Sequence, residues 1–238
     1  LIIGQILLAR ILQARGDADG ANKMLQAAIN SAQMDIQQIY RVELTACQVQ
    51  LWLAQEELDT ASRWAHESNL SAEIEINQQN EYEQISLARV LVAQGRVSSD
   101  GAMLTRALGL VERLALSAES AGRMGHLIDL LILQALALDA LGDLNQALSC
   151  LERALVSAEP QRIVRIFLDN GSPIIRLLKE AARRNISADY AIELLNRIDT
   201  DTQPDGPNLS PPSLLVDPLS DRELEVLHLM AKDLTYKE

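Results

Sequence analysis

Apolar residues in the first 198 positions recur at the three- and four-residue intervals of an amphipathic helix. After the Gly142-Asp143 dipeptide they fall at Ala147, Leu148, Leu151, Ala154 and Leu155. After Gly16-Asp17 a matching series falls at Ala21, Met24, Leu25, Ala28 and Ile29. Gly is suited to the left-handed conformation that ends a helix, and Asp is suited to cap the next helix. The pattern therefore predicts two antiparallel helices joined by a tight turn.

This helix pair is repeated along the chain. Weaker copies of the series begin at Ala61 and Ala107, so the leading alanines at 21, 61, 107 and 147 are spaced by 40, 46 and 40 residues. We assign the longer interval to about seven extra residues after Gly95, around 97–103. The pattern predicts helices over 1–15, 19–34, 37–54, 57–69, 78–94, 101–120, 123–141 and 144–158.

One such pair cannot bury its own apolar face, so successive pairs must stack. The predicted fold is therefore an all-α α-solenoid, a superhelix of antiparallel helix pairs with a period of about 40 residues. Because its turn and alanine pattern resembles that of tetratricopeptide repeats, we describe the solenoid as TPR-like. An irregular helical bundle is the alternative architecture. Aromatic residues make up only 3% of the chain, whereas strands favour aromatic and β-branched residues, so the composition also indicates helices.

The chain holds 21 basic and 33 acidic residues, and its net charge of −12 argues against nucleic-acid binding along its length. The charge is uneven. Residues 160–197 hold seven basic and four acidic residues, a surplus of three positive charges, whereas the remainder carries fifteen negative charges. A basic surface there could dock an acidic partner, another domain or DNA phosphates. A solvated helix face is the simpler interpretation.

No membrane segment is expected. The longest apolar stretch, 127–141, is interrupted by Asp129, Gln134 and Asp139 and is too short to span a bilayer. Cys47 and Cys150 are too few for a disulfide framework or a zinc site, and both lie in apolar helical stretches. We therefore expect a reduced, cytoplasmic protein.

Prolines mark the predicted domain boundary. Five of the seven fall between Pro204 and Pro218, in a stretch rich in Asp and Ser that has no apolar period. The prediction is a helical domain over 1–198, a linker over 199–217 and a separate helical segment over 218–238.

Two stretches carry a resemblance to a known family. The repeats resemble tetratricopeptide repeats, with Ala five residues after the turn Gly. The segment Arg165-x-Phe167-x-Asp169-x-Gly171 that follows them resembles the end of the sensor domain in MalT-like, large ATP-binding regulators of the LuxR family.

The C-terminal segment strengthens this resemblance. Its residues are similar to the opening of a LuxR-type helix-turn-helix domain at Leu219, Ser220, Arg222, Glu223, Glu225, Val226 and Leu227. Ser220 and Glu223 have the spacing of a capping box, which favours a helix start. Asp233 and Tyr236 depart from the family pattern, where Gly and Asn are common. Lys237 matches a family Lys and is the DNA-contact candidate of this stretch, but the family's recognition helix would follow Glu238.

The resemblance implies more than the sequence itself contains. It implies an ATP-binding module before Leu1, a complete DNA-binding domain continuing after Glu238, and an inducer that promotes self-association and DNA binding. Specific DNA binding is expected only through the complete C-terminal domain. No cofactor is expected in the present stretch, because it lacks the Gly-Lys-Ser/Thr of a P-loop.

The sequence also lacks common catalytic motifs. There is no Gly-x-Ser-x-Gly and no His-Glu-x-x-His, and the histidines at 66, 126 and 228 are scattered. We therefore expect neither an enzyme nor a metal site.

The predicted function is that of a signal-sensing, protein-interaction region of a transcriptional regulator, binding a small-molecule inducer or a partner protein in the solenoid groove. The first helix of each pair usually lines the concave face of a solenoid. Polar and aromatic residues on those helices that do not fit the core pattern are the contact candidates: Tyr40, Arg41, Gln48, Tyr82, Arg89, His126 and Gln134. The alternative is a protein–protein scaffold that binds no small ligand.

Overall fold

The computed structural model describes residues 2–32, 38–77, 80–201 and Arg222. These residues form eleven α-helices and one 3-10 turn, with no strand among them. The helices are α1 Ile2–Ala14, α2 Ala18–Ala32, α3 Gln38–Ala54, α4 Leu58–Glu67, α5 Glu81–Ser98, α6 Gly101–Ser120, α7 Met124–Ala140, α8 Leu144–Ala158, α9 Arg165–Leu168, α10 Ser172–Arg183 and α11 Ala188–Asp201. The predicted all-α, TPR-like solenoid is confirmed. The predicted helix ends agree within two residues wherever described, except for 78–94.

The chain forms two compact units. In the first, which includes residues up to Leu51, α1 and α2 form an antiparallel hairpin. Its apolar core combines residues of α1, α2 and α3, among them Ala9, Ala21, Leu25 and Cys47. The alanines at this core are fully buried, which allows the helices to approach closely.

The second unit runs from Trp52 to Asp199 and has its own continuous core. The hairpins α5/α6 and α7/α8 pack on each other, and α9 and α10 pack on the α7/α8 hairpin. Helices α5 and α7 are buried on most sides because each lies between neighbouring helices. This stacking positions the polar residues described below.

Each helix hairpin closes with the same turn. A residue with positive φ ends the first helix, and the next residue donates its N–H to a carbonyl five positions back, the hydrogen bond of a Schellman motif. The positive-φ residues of these turns are Gly16, Glu56, Ser99, Gly142 and Asn185, spaced by 40, 43, 43 and 43 residues. At three turns an Asp side chain then accepts from backbone N–H groups of the next helix: Asp17, Asp100 and Asp143.

Each turn also pairs one large side chain with a small residue. The two positions are four residues before and five residues after the positive-φ residue. They are occupied by Leu12 and Ala21, Trp52 and Ala61, Gly95 and Leu104, Leu138 and Ala147, and Ala181 and Tyr190. The order is large then small at the first, second and fourth turns, and small then large at the third and fifth.

The third turn corrects the predicted repeat. It lies at Ser99 and Asp100, and α5 continues through Gly95 to Ser98. A Cβ atom on Gly95 would lie 2.7 Å from Cγ of Leu104, so Gly95 provides the space that Leu104 fills. Leu104 therefore occupies the position assigned to Ala107, although Ala107 is also fully buried. The predicted seven-residue insertion after Gly95 is therefore wrong, because α5 continues past Gly95 and the chain turns at Ser99.

A fifth hairpin, α10 and α11, follows the four predicted pairs. Tyr190, 2% exposed, packs edge-on against the buried Phe167 ring and donates a 2.9 Å hydrogen bond to the carbonyl of Ile163. Burial raises the pKa of Tyr190 to about 12. Helix α11 includes 199–201 of the predicted linker, and 202–217 lie outside the described residues. The helix can continue past the predicted boundary at 198, because its backbone hydrogen bonds are internal and need no tertiary contact.

The turn geometry predicts opposite effects for two substitutions. Glu56 is exposed and holds φ of 62°, a conformation that costs a residue with a Cβ about 1–2 kcal/mol. Replacing it with Gly should stabilise the chain by about 0.5–1 kcal/mol in urea unfolding, after the greater flexibility of unfolded Gly is counted. Gly142→Ala is the matched control. It should destabilise the chain by about 1 kcal/mol, because Ala would have to adopt the positive φ of Gly142. No clash adds to this cost, since no atom lies within 4 Å of the added Cβ. Equal stabilities for all three proteins would contradict the turn assignment.

Candidate functional site

The seven predicted contact residues fall into two groups, on the first helices of different hairpins. Tyr40, Arg41 and Gln48 lie on α3 in the first unit. Arg41 is exposed, and the other two are half-buried. The described residues provide no hydrogen-bond or ion-pair partner for these three side chains. The remaining four candidates lie on α5 and α7 of the second unit.

Four residues at the starts of α5 and α7 form a connected group, here called the polar cluster: Glu81, Tyr82, Arg123 and His126. Nε of Arg123 lies 3.0 Å from the Glu81 carboxylate, and Nδ1 of His126 lies 3.2 Å from its Oε1. The Tyr82 and His126 rings meet edge to face with centroids 4.7 Å apart. The partners are 42 to 45 residues apart because the hairpins repeat every 43 residues, which places the helix starts side by side.

Glu81 organises this cluster. Its side chain is only 3% exposed, and a buried carboxylate is tolerated when charged or hydrogen-bonding partners surround it. Arg123 is held in turn, because its Nη2 donates to the carbonyl and hydroxyl oxygens of Ser117 at 3.2 and 3.1 Å. A neutral His126 that donates from Nδ1 to the carboxylate presents Nε2 as an acceptor. Glu81 therefore holds the His126 ring, and the Tyr82 ring packs against that ring.

The cluster leaves part of its aromatic surface in solvent. Tyr82 is 39% exposed, and the side chain of His126 is 23% exposed. An aromatic face beside fixed polar groups suits recognition, because ring contacts contribute binding energy and the polar atoms select orientation. Among the described residues, no group of three or more His, Cys, Asp or Glu side chains is arranged to hold a metal ion.

Arg89 has a different environment from the other candidates. It is 7% exposed, and its Nη2 lies 2.5 and 2.6 Å from the two carboxylate oxygens of Asp129 on α7. Its Nη1 lies 3.4 Å from Oδ1 of Asn170, which follows α9. Arg89 thus joins α5, α7 and the segment after α9. Gln134 is half-buried on α7, and its side chain has no hydrogen-bond partner in the described part of the chain.

The family-motif residues have structural roles in this unit. Arg165 pairs with Asp169 across one helical turn at 2.5 Å, and Phe167 between them is fully buried. Gly171 has φ of 60° and ψ of −149°, a region essentially restricted to glycine, and it precedes Pro173 in the first turn of α10. The C-terminal motif residues Ser220, Glu223, Glu225 and Lys237 lie outside the described residues, and Arg222 is described only as helical and exposed.

Sequence reasoning missed Glu81 and Arg123, because charged residues at helix starts usually face solvent. A signal was present in the spacing of opposite charges by about one repeat. The same reasoning overlooked Asp129 as the partner of Arg89, 40 residues away.

The Arg89–Asp129 pair predicts a strong asymmetry between single and double substitutions. Arg89→Met leaves a largely buried carboxylate unpaired and should cost about 3 kcal/mol in urea unfolding. Adding Asp129→Leu should recover at least half of that loss, because no unpaired charge remains. Arg153→Met is the control, since the Arg153–Glu119 pair is about half exposed and should contribute under about 1 kcal/mol. A double variant no more stable than Arg89→Met would contradict this account.

Comparison with known proteins identifies the family of the repeats. A family model described as the MalT-like TPR region matches residues 1–184. No curated protein matches the chain significantly. No helix in the described ranges has the length and apolar character needed to cross a membrane. The family match ends before 218–238, whose likeness to a LuxR-type domain remains a prediction. Because the match covers most of the chain and the fold agrees with it, the chain belongs to the MalT-like TPR family.

Proposed function

We propose that this chain is the signal-sensing and interaction region of a MalT-like transcriptional regulator of the LuxR family. In this proposal, a small-molecule inducer or a partner protein binds the exposed face of the polar cluster. Binding then controls self-association and DNA attachment by the full-length protein in the cytoplasm. The chain itself performs no catalysis and holds no cofactor. ATP binding and sequence-specific DNA recognition belong to other parts of the regulator.

One observation supports this location most directly. Two predicted contact residues, Tyr82 and His126, come from different hairpins yet touch each other and remain partly exposed. The nearly buried Glu81 holds the His126 ring, against which the Tyr82 ring packs. A rigid aromatic surface loses little side-chain entropy when a ligand binds, which makes it an efficient recognition element.

A partner protein is the second candidate ligand. Met124, at the start of α7, is 39% exposed and lies two positions before His126. Exposed Tyr and Met side chains are both enriched at protein–protein interfaces, so the exposed Tyr82 ring suits a peptide as well as a small molecule. The scaffold alternative therefore uses the same face and differs in its ligand.

A thermal-shift screen with small metabolites tests the proposal. A ligand that binds the native state should raise the melting temperature of residues 1–238. Tyr82→Ala or His126→Gln should weaken the apparent affinity at least about tenfold, equivalent to about 1.4 kcal/mol. His66→Gln, which changes an exposed histidine on α4, should leave it within about twofold.

Two results would decide against parts of the proposal. A hit whose affinity is unchanged in both cluster variants would place the binding site elsewhere. If no metabolite shifts the melting temperature but a purified partner protein binds with the same dependence on Tyr82 and His126, the scaffold alternative would hold.

A further inference from the structure

Arg96, in the last turn of α5, has an unusual environment for a cation. It is half-buried, yet its side chain makes no hydrogen bond or ion pair within the described residues. The other described cations without such a partner, among them Arg41, Arg63 and Lys179, are exposed and can be fully hydrated. A guanidinium group has five N–H donors, and partial burial without partners carries a free-energy cost.

Asp139 lies one 43-residue repeat after Arg96, at the matching end of α7, and α5 packs on α7, so the two residues are neighbours. The charges beside Arg96 leave an excess of positive charge. The Asp139 carboxylate, 9% exposed, accepts hydrogen bonds from Nε of Arg176 at 3.2 Å and from its Nη2. Arg176 reaches it from α10, so two arginines share one carboxylate. Lys179 lies three positions after Arg176 on the exposed face of α10 and has no partner in the described chain.

The electrostatics agree with this placement. Burial lowers the pKa of Arg96, the charge of Asp139 opposes that shift, and the like charge of Arg176 adds to it. The hydrogen bond and charge of Asp139 raise the pKa of Arg176. The Asp139 carboxylate therefore interacts mainly with Arg176, and it neutralises the charge of Arg96 only in part. Arginine remains charged at any pH at which the protein folds.

The other arginines of the basic region 160–197 differ from Arg96, because each is bonded to a carboxylate. The pairs are Arg162 and Arg197 with Glu193, Arg165 with Asp169, and Arg183 and Arg184 with Glu180. Positive charge remains where two arginines share one carboxylate, but those guanidinium groups already have an acceptor. Arg96 has none among the described residues and is half-buried, so a small oxyanionic ligand can reach it more readily than a polyanion can.

We propose that Arg96 and Arg176 form a binding site for a single oxyanionic group, a phosphate or carboxylate of a small molecule, at the ends of α5 and α7, where Arg176 reaches Asp139 from α10. The planar guanidinium of Arg96 can donate two parallel hydrogen bonds to such a group. Arg176 contributes charge and its remaining donors while it stays anchored by Asp139. This inference does not depend on ligand binding at the polar cluster, because no residue is shared.

Anion titration tests the site. Melting temperatures and calorimetric affinities of residues 1–238 are measured in sodium phosphate and in sodium acetate, each against sodium chloride at equal ionic strength to remove general screening. The wild-type chain should bind at least one of the two oxyanions above the chloride background, and the stronger response identifies the preferred group. Arg96→Gln should weaken that affinity at least about tenfold. Arg106→Gln, which removes an exposed arginine paired with Glu73, should leave it within about twofold.

The competing role for Arg96 is to stabilise the C-terminal end of α5 through the helix dipole. In that case Arg96→Gln lowers the melting temperature equally with and without oxyanion, and this result would overturn the proposal. It would also be overturned by equal weakening in the Arg106→Gln variant, or by no oxyanion-specific response in the wild type. Neither variant changes a residue of the polar cluster, so a negative result at Arg96 would not count against ligand binding at the polar cluster.

Discussion

The rest of the structure depends on a constraint at each hairpin turn: one residue must enter the left-handed region, and a small residue must lie opposite a large one. The positive-φ residue reverses the chain within two positions, and its neighbour's Schellman hydrogen bond fixes where the first helix ends. The large and small residues then set the approach of the two helices, because interiors pack too densely for two large side chains at one crossing. Repetition of this turn produces the 43-residue period of the last three intervals.

The functional geometry follows from that period. Hairpins of equal length place the starts of successive first helices side by side, so side chains about one repeat apart can meet. Glu81 meets Arg123 and His126 in this way, and Arg89 meets Asp129. The polar cluster lies at the starts of α5 and α7, whereas Arg96 and Asp139 lie near their ends. The second unit therefore carries two separate polar regions on one pair of helices.

The fold could be predicted where the turn residues were typical. Gly16-Asp17 and Gly142-Asp143 marked two hairpins, and the buried alanines at 21, 61 and 147 marked three helix crossings. Glu56 and Ser99 also enter the left-handed region, although neither residue type favours it. Asn185 is of a type that tolerates this conformation, but a single Asn does not by itself mark a turn. The reversed order of small and large residues then concealed the third turn and the fifth hairpin. Among site residues, Tyr82, Arg89 and His126 could be predicted as candidates, but their carboxylate partners Glu81 and Asp129 could not, because those partners lie about a full repeat away.

The most direct measurement of the turn constraint is a double-mutant cycle at Gly95 and Leu104, read by urea unfolding. In the wild-type background, Gly95→Ala should destabilise by about 1–3 kcal/mol, because the new methyl group would overlap Leu104, despite the higher helix propensity of Ala. In a Leu104→Ala background, the same substitution should be neutral or stabilising, because the opposing side chain is gone. A Gly95→Ala effect of the same sign and size in both backgrounds would contradict the account.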